Sequence, residues 1–232
     1  DGESIAAGAN DGHIRVWNLE KNELIIDRPG HSNPIISVQY NNTGTKLVSA
    51  GEDEVIIFWD APSGDTLYVI RDTDNQKGAF FNPGSDKVLS YASWGLQVWD
   101  ANTGSLLYEL DIDRHTGSRN DVDFTNVQHA AFSPDGTKII SSSSDCTSII
   151  WDATTGSFLT GLKGEVMDLS GHAYSKKNNI LVTGQIDGYI RFWKTGYGQL
   201  LRSSNEHNSW ICLLYTSPSP RDRTRSRMPS SA

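Results

Sequence analysis

Tryptophan recurs along this chain at nearly constant spacing, and this period constrains the fold more than any other feature. Each copy closes a short β-rich run: HIRVW, VIIFW, GLQVW, TSIIW and YIRFW. Successive copies lie 42, 40, 52 and 42 residues apart, at Trp17, Trp59, Trp99, Trp151 and Trp193. Self-similarity at a period of about 40 to 50 residues predicts a series of like supersecondary units that stack on one another.

The copies also agree at other fixed distances from the tryptophan. Gly or Asn, which tolerate positive φ, stands five residues after it in every copy, so a tight turn leads to a further strand. A hydroxyl-bearing residue stands nine or ten residues before it in four copies: Ser49, Ser90, Ser141 and Thr183. An aspartate stands six residues before it in four copies: Asp11, Asp53, Asp145 and Asp187. Each unit is therefore predicted to be four strands, a to d, joined by hairpins.

The second copy shows the unit most clearly. Its three β-rich runs predict strands at Ile35–Tyr40, Lys46–Ala50 and Glu54–Trp59. The turn-forming segments NTG and GED separate these runs. The third copy has a b–c turn that is one residue shorter and has lost its aspartate, and the first copy has Ala7 in place of the hydroxyl residue.

Antiparallel units of this length, whose third strand ends in Trp-Asp, resemble the WD-repeat β-propeller family. Asp60, Asp100 and Asp152 complete the pair, whereas Asn18 and Lys194 replace the aspartate in the outer copies. The resemblance covers about residues 1–211 and implies an all-β arc of four-stranded antiparallel blades from a seven-bladed parent. The expected blades are 1–28, which begins in an a–b turn, then 29–71, 72–112, 113–163 and 164–203, with a sixth opening at 204–211.

The family resemblance also implies a hydrogen-bond network within a blade. The indole N–H donates to the Ser or Thr hydroxyl of strand b, a His of the d–a loop bonds that hydroxyl, and the Asp of the b–c turn holds the His. The full set is expected once, as His31, Ser49, Asp53 and Trp59. The positions that match His31 in the other copies are Asp72, Asp123 and Glu165.

Ser49, His31 and Asp53 are also the residue types of a hydrolase triad. The structural role is favoured, because Ser or Thr and Asp recur in other copies without the His, and because Trp59 is expected to cover the hydroxyl.

The connection DIDRHTGSRNDVDFT, residues 111–125, accounts for the 52-residue spacing. Its Asp-x-Asp start is shared with calcium loops, but position five is His115 and no glycine follows at position six, which opposes a metal site. The segment is interpreted as a solvated recognition loop on the face that the d–a and b–c loops share.

Trp94 lies in the shortened b–c turn of the third copy. Either it fills the gap left by the shorter turn, or it is exposed and anchors a protein partner, since tryptophan is enriched at binding hot spots. The other candidates for this partner-binding face are turn or loop residues: Asn10, Glu52, Arg119 and Ser144.

Several classes of function are disfavoured. The net charge of −8, without a basic stripe, opposes direct nucleic-acid binding, and no run is apolar enough to span a membrane. No phosphate-binding glycine loop, Cys-x-x-Cys or His-Glu-x-x-His occurs, so no catalysis, cofactor or metal is expected. The two cysteines give no disulfide framework, which favours the cytoplasm or nucleus and makes the sequon at Asn41 a chance match.

The expected function is a non-catalytic scaffold that binds protein or peptide partners and needs no obligate homo-oligomer. The alternative is the propeller of a larger multidomain enzyme or regulator, whose catalytic part lies outside this sequence.

Residues 212–232 leave the repeat register and are rich in Arg, Ser and Pro. Back-translation of CLLYTSPSPRD resembles the transposase-type adapter used in short-read DNA sequencing, so we interpret this segment as non-native; the alternative is a disordered tail. Without its four Arg and one Asp, the net charge changes from −8 to −11. The coding nucleotides decide between the two, since codons unlike the adapter would exclude the first.

Overall fold

The computed structural model describes residues 2–71, 76–115, 126–145, 147–162, 169–175, 180–185, 188–195 and 198–205. Apart from one 3₁₀ turn, Ile112–Arg114, the regular structure of these residues consists of strands in five antiparallel sheets. The described residues do not include Arg119, Asp187, Cys146, the positions that match His31 in other copies, or residues 206–232. The expected start of the sixth blade at residue 204 is wrong, because Ser204 and Asn205 belong to the last strand of the fifth blade, Gln199–Asn205. Within the described ranges, no helix has the length and apolar character needed to cross a membrane.

Each sheet contains strands that follow one another in the chain. The first sheet has three: β1 (Ser4–Gly8), β2 (His13–Asn18) and β3 (Glu23–Pro29). The second has β4 (Ile35–Tyr40), β5 (Lys46–Gly51), β6 (Ile56–Asp60) and β7 (Thr66–Ile70). The third has β8 (Gln76–Phe81), β9 (Lys87–Ala92), β10 (Leu96–Asp100) and β11 (Leu106–Glu109). The fourth has β12 (Val127–Phe132), β13 (Lys138–Ser143), β14 (Ser148–Asp152) and β15 (Phe158–Leu162). The fifth has β16 (Leu169–Ser175), β17 (Ile180–Gln185), β18 (Tyr189–Lys194) and β19 (Gln199–Asn205).

The repeated tryptophan takes the same place in every sheet. It pairs across to strand b near that strand's beginning, as in Trp59 opposite Leu47 and Trp151 opposite Ile139. In all five sheets, the pairing of strands c and d shifts register immediately before the tryptophan. A bulge that recurs at one position re-aims the same side chain each time. The prediction of repeated four-stranded antiparallel units, hence of an all-β propeller arc, is confirmed.

The apolar core lies between consecutive sheets rather than within any one of them. Val48 and Phe58 of the second blade, for example, pack with Phe81 and Trp99 of the third. Three further clusters join the first blade to the second, the third to the fourth, and the fourth to the fifth. Because a single four-stranded sheet buries little apolar area, each blade depends on its neighbours for stability.

The c–d turns pack against the preceding blade. Gly104 and Gly156 have φ of 70° and 72°, a region that L-residues other than glycine rarely adopt. A Cβ on them would lie 2.8 Å from Tyr68 and 2.6 Å from Tyr108 of the preceding blade. The Tyr108 hydroxyl and Lys87 Nζ both donate to the Ala153 carbonyl of the next blade, at 2.5 and 2.7 Å. These turns therefore fix the spacing of the blades.

Three predicted strand boundaries of the second blade differ from the structure: strand b ends at Gly51 and strand c at Asp60, each one residue later than predicted, and the start of strand c is wrong by two residues. Strand c of the second blade begins at Ile56 rather than at Glu54. Glu54 has a φ of 61°, and the Gly51 N–H donates to the Val55 carbonyl at 3.1 Å, so the b–c turn extends to that point. The β-propensity of these residues does not show that a glutamate here has a left-handed backbone, so it does not predict where strand c begins.

Candidate functional site

The second blade contains a continuous chain of hydrogen bonds from its core tryptophan to its b–c turn. The Trp59 indole N–H donates to Ser49 Oγ at 2.9 Å, and His31 Nε2 lies 2.8 Å from the same hydroxyl. His31 Nδ1 lies 2.8 Å from Asp53 Oδ1, and the Ser32 N–H donates to Asp53 Oδ2 at 2.8 Å. The chain joins strands b and c, the b–c turn and the d–a loop.

Burial and charge give this network a structural role. Ser49 is fully buried and Trp59 is 1% exposed, so a substrate has no access to the hydroxyl, and the serine already accepts the indole proton. Burial opposes ionisation of Asp53, but the hydrogen bonds from His31 and Ser32 outweigh it and lower the carboxyl pKa. Ionised Asp53 therefore orients the imidazole, and this geometry opposes the hydrolase interpretation.

The expectation that only one copy has a histidine is wrong. In the fourth blade, Trp151 donates to Ser141 Oγ at 2.8 Å, and His115 Nε2 lies 3.0 Å from that hydroxyl. His115 Nδ1 lies 2.6 Å from Thr147 Oγ1, whose hydroxyl donates to Asp145 Oδ1 at 2.6 Å. A threonine therefore stands between the histidine and the turn aspartate. Burial lowers the His115 pKa to about 4, although Asp145 acts in the opposite direction, so the ring is neutral at pH 7.

A fixed count backwards from the strand-b serine does not reach His115. His31 precedes its serine by 18 residues and His115 by 26, since the longer loop lies between. His31 follows Trp17 by 14 residues, and His115 follows Trp99 by 16. A forward count from the preceding tryptophan therefore places both histidines at nearly the same position in the repeat. The interpretation of the whole segment 111–125 as solvated is therefore wrong at His115, which is fully buried.

In the remaining blades, the part of the network that the described residues show is shorter. Trp99 donates to Ser90 Oγ at 2.8 Å and Trp193 to Thr183 Oγ1 at 2.9 Å. In the first blade, which has Ala7 at the acceptor position, Trp17 is only half-buried. Asp11 there accepts two hydrogen bonds from the Arg15 guanidinium, at 2.6 and 3.2 Å. The side-chain hydrogen bond from Arg15 lowers the pKa of Asp11 to about 2.

The b–c turns bring most of the proposed partner-binding residues to one end of the sheets. Asn10, Glu52 and Trp94 are exposed there, Trp94 by 50%, and Ser144 is half-buried. Backbone bonds hold the turns in place: the Glu52 N–H donates to Pro34 O, and Ser93 O accepts from the Val127 N–H of the next blade. This end is therefore a rigid surface with variable side chains.

Two weaker motifs take no functional role in the described structure. Asp111 and Asp113 are exposed, and the described residues contain no group of three or more metal-binding side chains placed to hold an ion. Asn41, the sequon residue, is 7% exposed, and its Oδ1 accepts the N–H groups of Thr45 and Lys46 at 2.9 and 3.1 Å. The amide that would accept a glycan therefore caps the a–b turn.

A family model described as "WD domain, G-beta repeat" matches residues 1–18, 22–60, 112–152 and 156–194. The chain belongs to the WD40 repeat family. The blade of Trp99, with its shortened turn, lies mostly outside the matched residues, although its hydrogen-bonded sheet is like the others.

Several named proteins resemble this WD40 chain. Apoptotic protease-activating factor 1 of Rattus norvegicus is 29% identical over 226 residues, 93% of this chain but 17% of that protein. Nuclear distribution protein PAC1 of Arthroderma otae is 27% identical, over 93% of this chain and 52% of its own length. COMPASS component SWD3 of Saccharomyces cerevisiae is 28% identical, over 93% of this chain and 73% of its own length.

A solved structure shows the same fold. The crystal structure of the computationally designed Ika8 protein superposes with a TM-score of 0.77 at 27% identity, over 94% of this chain and 64% of that one. The chain thus spans less than a fifth of the first relatives it matches and about half of the PAC1 proteins.

Proposed function

We propose that this chain is a non-catalytic scaffold that binds protein or peptide partners through the end of the propeller formed by the b–c turns and d–a loops. The observation that carries the proposal is the position of Trp94, half exposed in a turn whose backbone is bonded to the next blade. An aromatic side chain on a rigid, exposed turn loses little entropy on binding and contributes a large contact area.

The comparisons support a role in assemblies. One relative is named as a component of COMPASS, and the others carry the names of a protease-activating factor and a nuclear distribution protein. We propose, from the cysteine content, that the chain works in the cytoplasm or nucleus, without a cofactor and without direct nucleic-acid contact. The Ser-His-Asp set that resembles a triad is buried beneath Trp59 and supports no catalysis.

Comparative affinity capture tests this surface. The 232-residue chain and its Trp94→Ala variant are used as baits, and bound proteins are quantified by mass spectrometry. Leu107→Ala is the matched control, because Leu107 is also an exposed apolar residue, 43% exposed, but lies on the outer strand β11. Partners that are lost with W94A and kept with L107A support the proposal. Identical profiles for all three baits would contradict it.

A second function is favoured by the length of the relatives. This chain matches only 17% of each protease-activating factor, so a propeller like it forms part of a much larger protein there. We propose as the alternative that this chain is the regulatory propeller of a multidomain protein whose activity lies elsewhere. Sequencing of the full-length transcript tests it, and a transcript that encodes only WD repeats would exclude it.

A further inference from the structure

A cavity of about 350 Å³ opens where the inner strands of the second, third and fourth blades meet. Its walls are mostly aromatic and include Phe80 of β8, Tyr91 of β9 and Phe132 of β12. Gln39 of β4 and the ring of His129 of β12 supply the polar lining. Cavities of this size hold a small molecule or one large side chain.

The walls depart from the repeat at the positions that form the cavity. Tyr91 directly follows the strand-b serine, where the other complete blades have Ala50, Ser142 and Gly184. Phe80 occupies the place held elsewhere by Gln39, Ala131 and Ala173. The other complete blades form without large rings at these positions, so the fold does not require the rings of Phe80 and Tyr91.

The two rings are held in a fixed arrangement. Phe80 and Tyr91 stack with centroids 6.0 Å apart and an interplanar angle of 22°. Gly78 makes room for the pair, because a Cβ there would approach the Phe80 ring to 2.7 Å and the Tyr91 ring to 3.0 Å. A flat apolar surface is thus formed before any ligand arrives, which reduces the entropy lost on binding.

Two polar groups of the cavity have no partner within the described residues. The Tyr91 hydroxyl and the ring nitrogens of His129 make no hydrogen bond there, although Tyr91 is only 7% exposed. Neither group is fully enclosed, so both are open to the cavity and can bond a ligand or water that enters it. Burial raises the pKa of Tyr91, so its hydroxyl stays protonated and can donate.

The positive charge of Lys77 acts on one wall of this cavity, at His129. Lys77 Nζ donates to the Val127 carbonyl at 2.7 Å, two residues before His129. Burial and the nearby Lys77 charge both lower the pKa of His129, so its ring is neutral and offers one N–H. No carboxylate lines the cavity. The Lys77 charge favours an anion over a cation near His129, whereas the faces of the aromatic rings do not attract an anion, so the anionic group of a ligand is expected on the His129 side.

We propose that this cavity binds an aromatic group that carries a carboxylate, with the ring against Phe80 and Phe132 and the carboxylate hydrogen-bonded by Tyr91 and His129. The proposal is independent of the loop surface around Trp94, because it concerns the inner strands. The same chemistry occurs in a free aryl acid and in the C-terminal aromatic residue of a peptide.

Titration calorimetry of the 232-residue chain with phenylacetate tests this site, and phenethylamine is the cationic counterpart of the same shape. We expect phenylacetate to bind about tenfold or more tightly than the amine, since charge-assisted hydrogen bonds discriminate by that order. Tyr91→Phe keeps the ring and removes the donor, and should weaken binding by about tenfold. Tyr40→Phe, a variant of a half-buried tyrosine outside this cavity, should leave phenylacetate binding unchanged.

A second pair of probes distinguishes the two sources of ligand. A tetrapeptide that ends in phenylalanine with a free carboxylate is compared with its amidated form and with phenylacetate. Tighter binding of the free-acid peptide than of phenylacetate assigns the site to a protein C-terminus. Tighter binding of phenylacetate assigns it to a small molecule. Absence of phenylacetate binding at about 10 mM would overturn the proposal, since a ligand of this size should bind at that level. Equal binding of the amine, or unchanged binding by Y91F, would also overturn it.

Discussion

Removal of the serine hydroxyl that accepts the indole proton should cost different amounts in different blades. Ser141 Oγ bonds both Trp151 and His115, at 2.8 and 3.0 Å, whereas the one side-chain partner of Ser90 Oγ among the described residues is Trp99, at 2.8 Å. All these side chains are buried. Each polar group left without a partner costs about 1 to 3 kcal/mol. Ser90→Ala should therefore lower the free energy of unfolding by about 1 to 3 kcal/mol, and Ser141→Ala by roughly twice that.

Urea unfolding followed by circular dichroism measures both changes, with the slope of the free energy against urea expected to stay constant. Ser141→Thr is the control, because Thr183 has the same role for Trp193 at 2.9 Å, and it should restore most of the stability. Equal losses for S141A and S90A would show that the His115 bond contributes nothing. A loss for S141T as large as that for S141A would attribute the effect to packing instead.

Three further predictions follow from the described contacts. Because the His115 pKa is about 4 when folded, against 6.5 for a free histidine, only the unfolded chain takes up this proton between those pH values. Stability should fall by up to about 3 kcal/mol as pH drops through that window, and His115→Gln, compared at each pH by urea unfolding, should remove this part of the decline. Gly156→Ala should destabilise by about 2 kcal/mol or more, whereas Gly95→Ala, whose Cβ would meet only Ala92 at 4.0 Å, should change stability by less than about 0.5 kcal/mol in thermal unfolding. Asn41 should carry no glycan when the chain is expressed through a secretory pathway, since its amide caps a turn, and a mass increase at Asn41 would refute this.

The repeated unit could be predicted because its causes are local. The turn glycines have the positive φ expected of them, 72° at Gly64 and 70° at Gly104, and the strands alternate with turn-forming residues. The start of strand c in the second blade could not be predicted. The left-handed backbone of Glu54, which delays that start, is imposed by closure of the b–c turn.

The site was only partly predictable for a similar reason. The residue types and spacing indicated the set around Trp59, but the second set, around Trp151, includes a histidine from a loop of a different length. A fixed backward count finds a partner only when the connecting loops are equal in length. Tertiary packing requires only that the imidazole reaches the hydroxyl, and several loop lengths allow this.

The sequence by itself determined the unit, its number of strands and the place of its tryptophan, because hairpins and their turns depend on neighbouring residues. Tertiary structure alone decided which residues meet between blades: His115 in the core of the fourth blade, Tyr108 beneath the Gly156 turn, and the aromatic cavity beside Tyr91. These contacts join residues that are far apart in the chain, and their partners are fixed only when one sheet packs against the next.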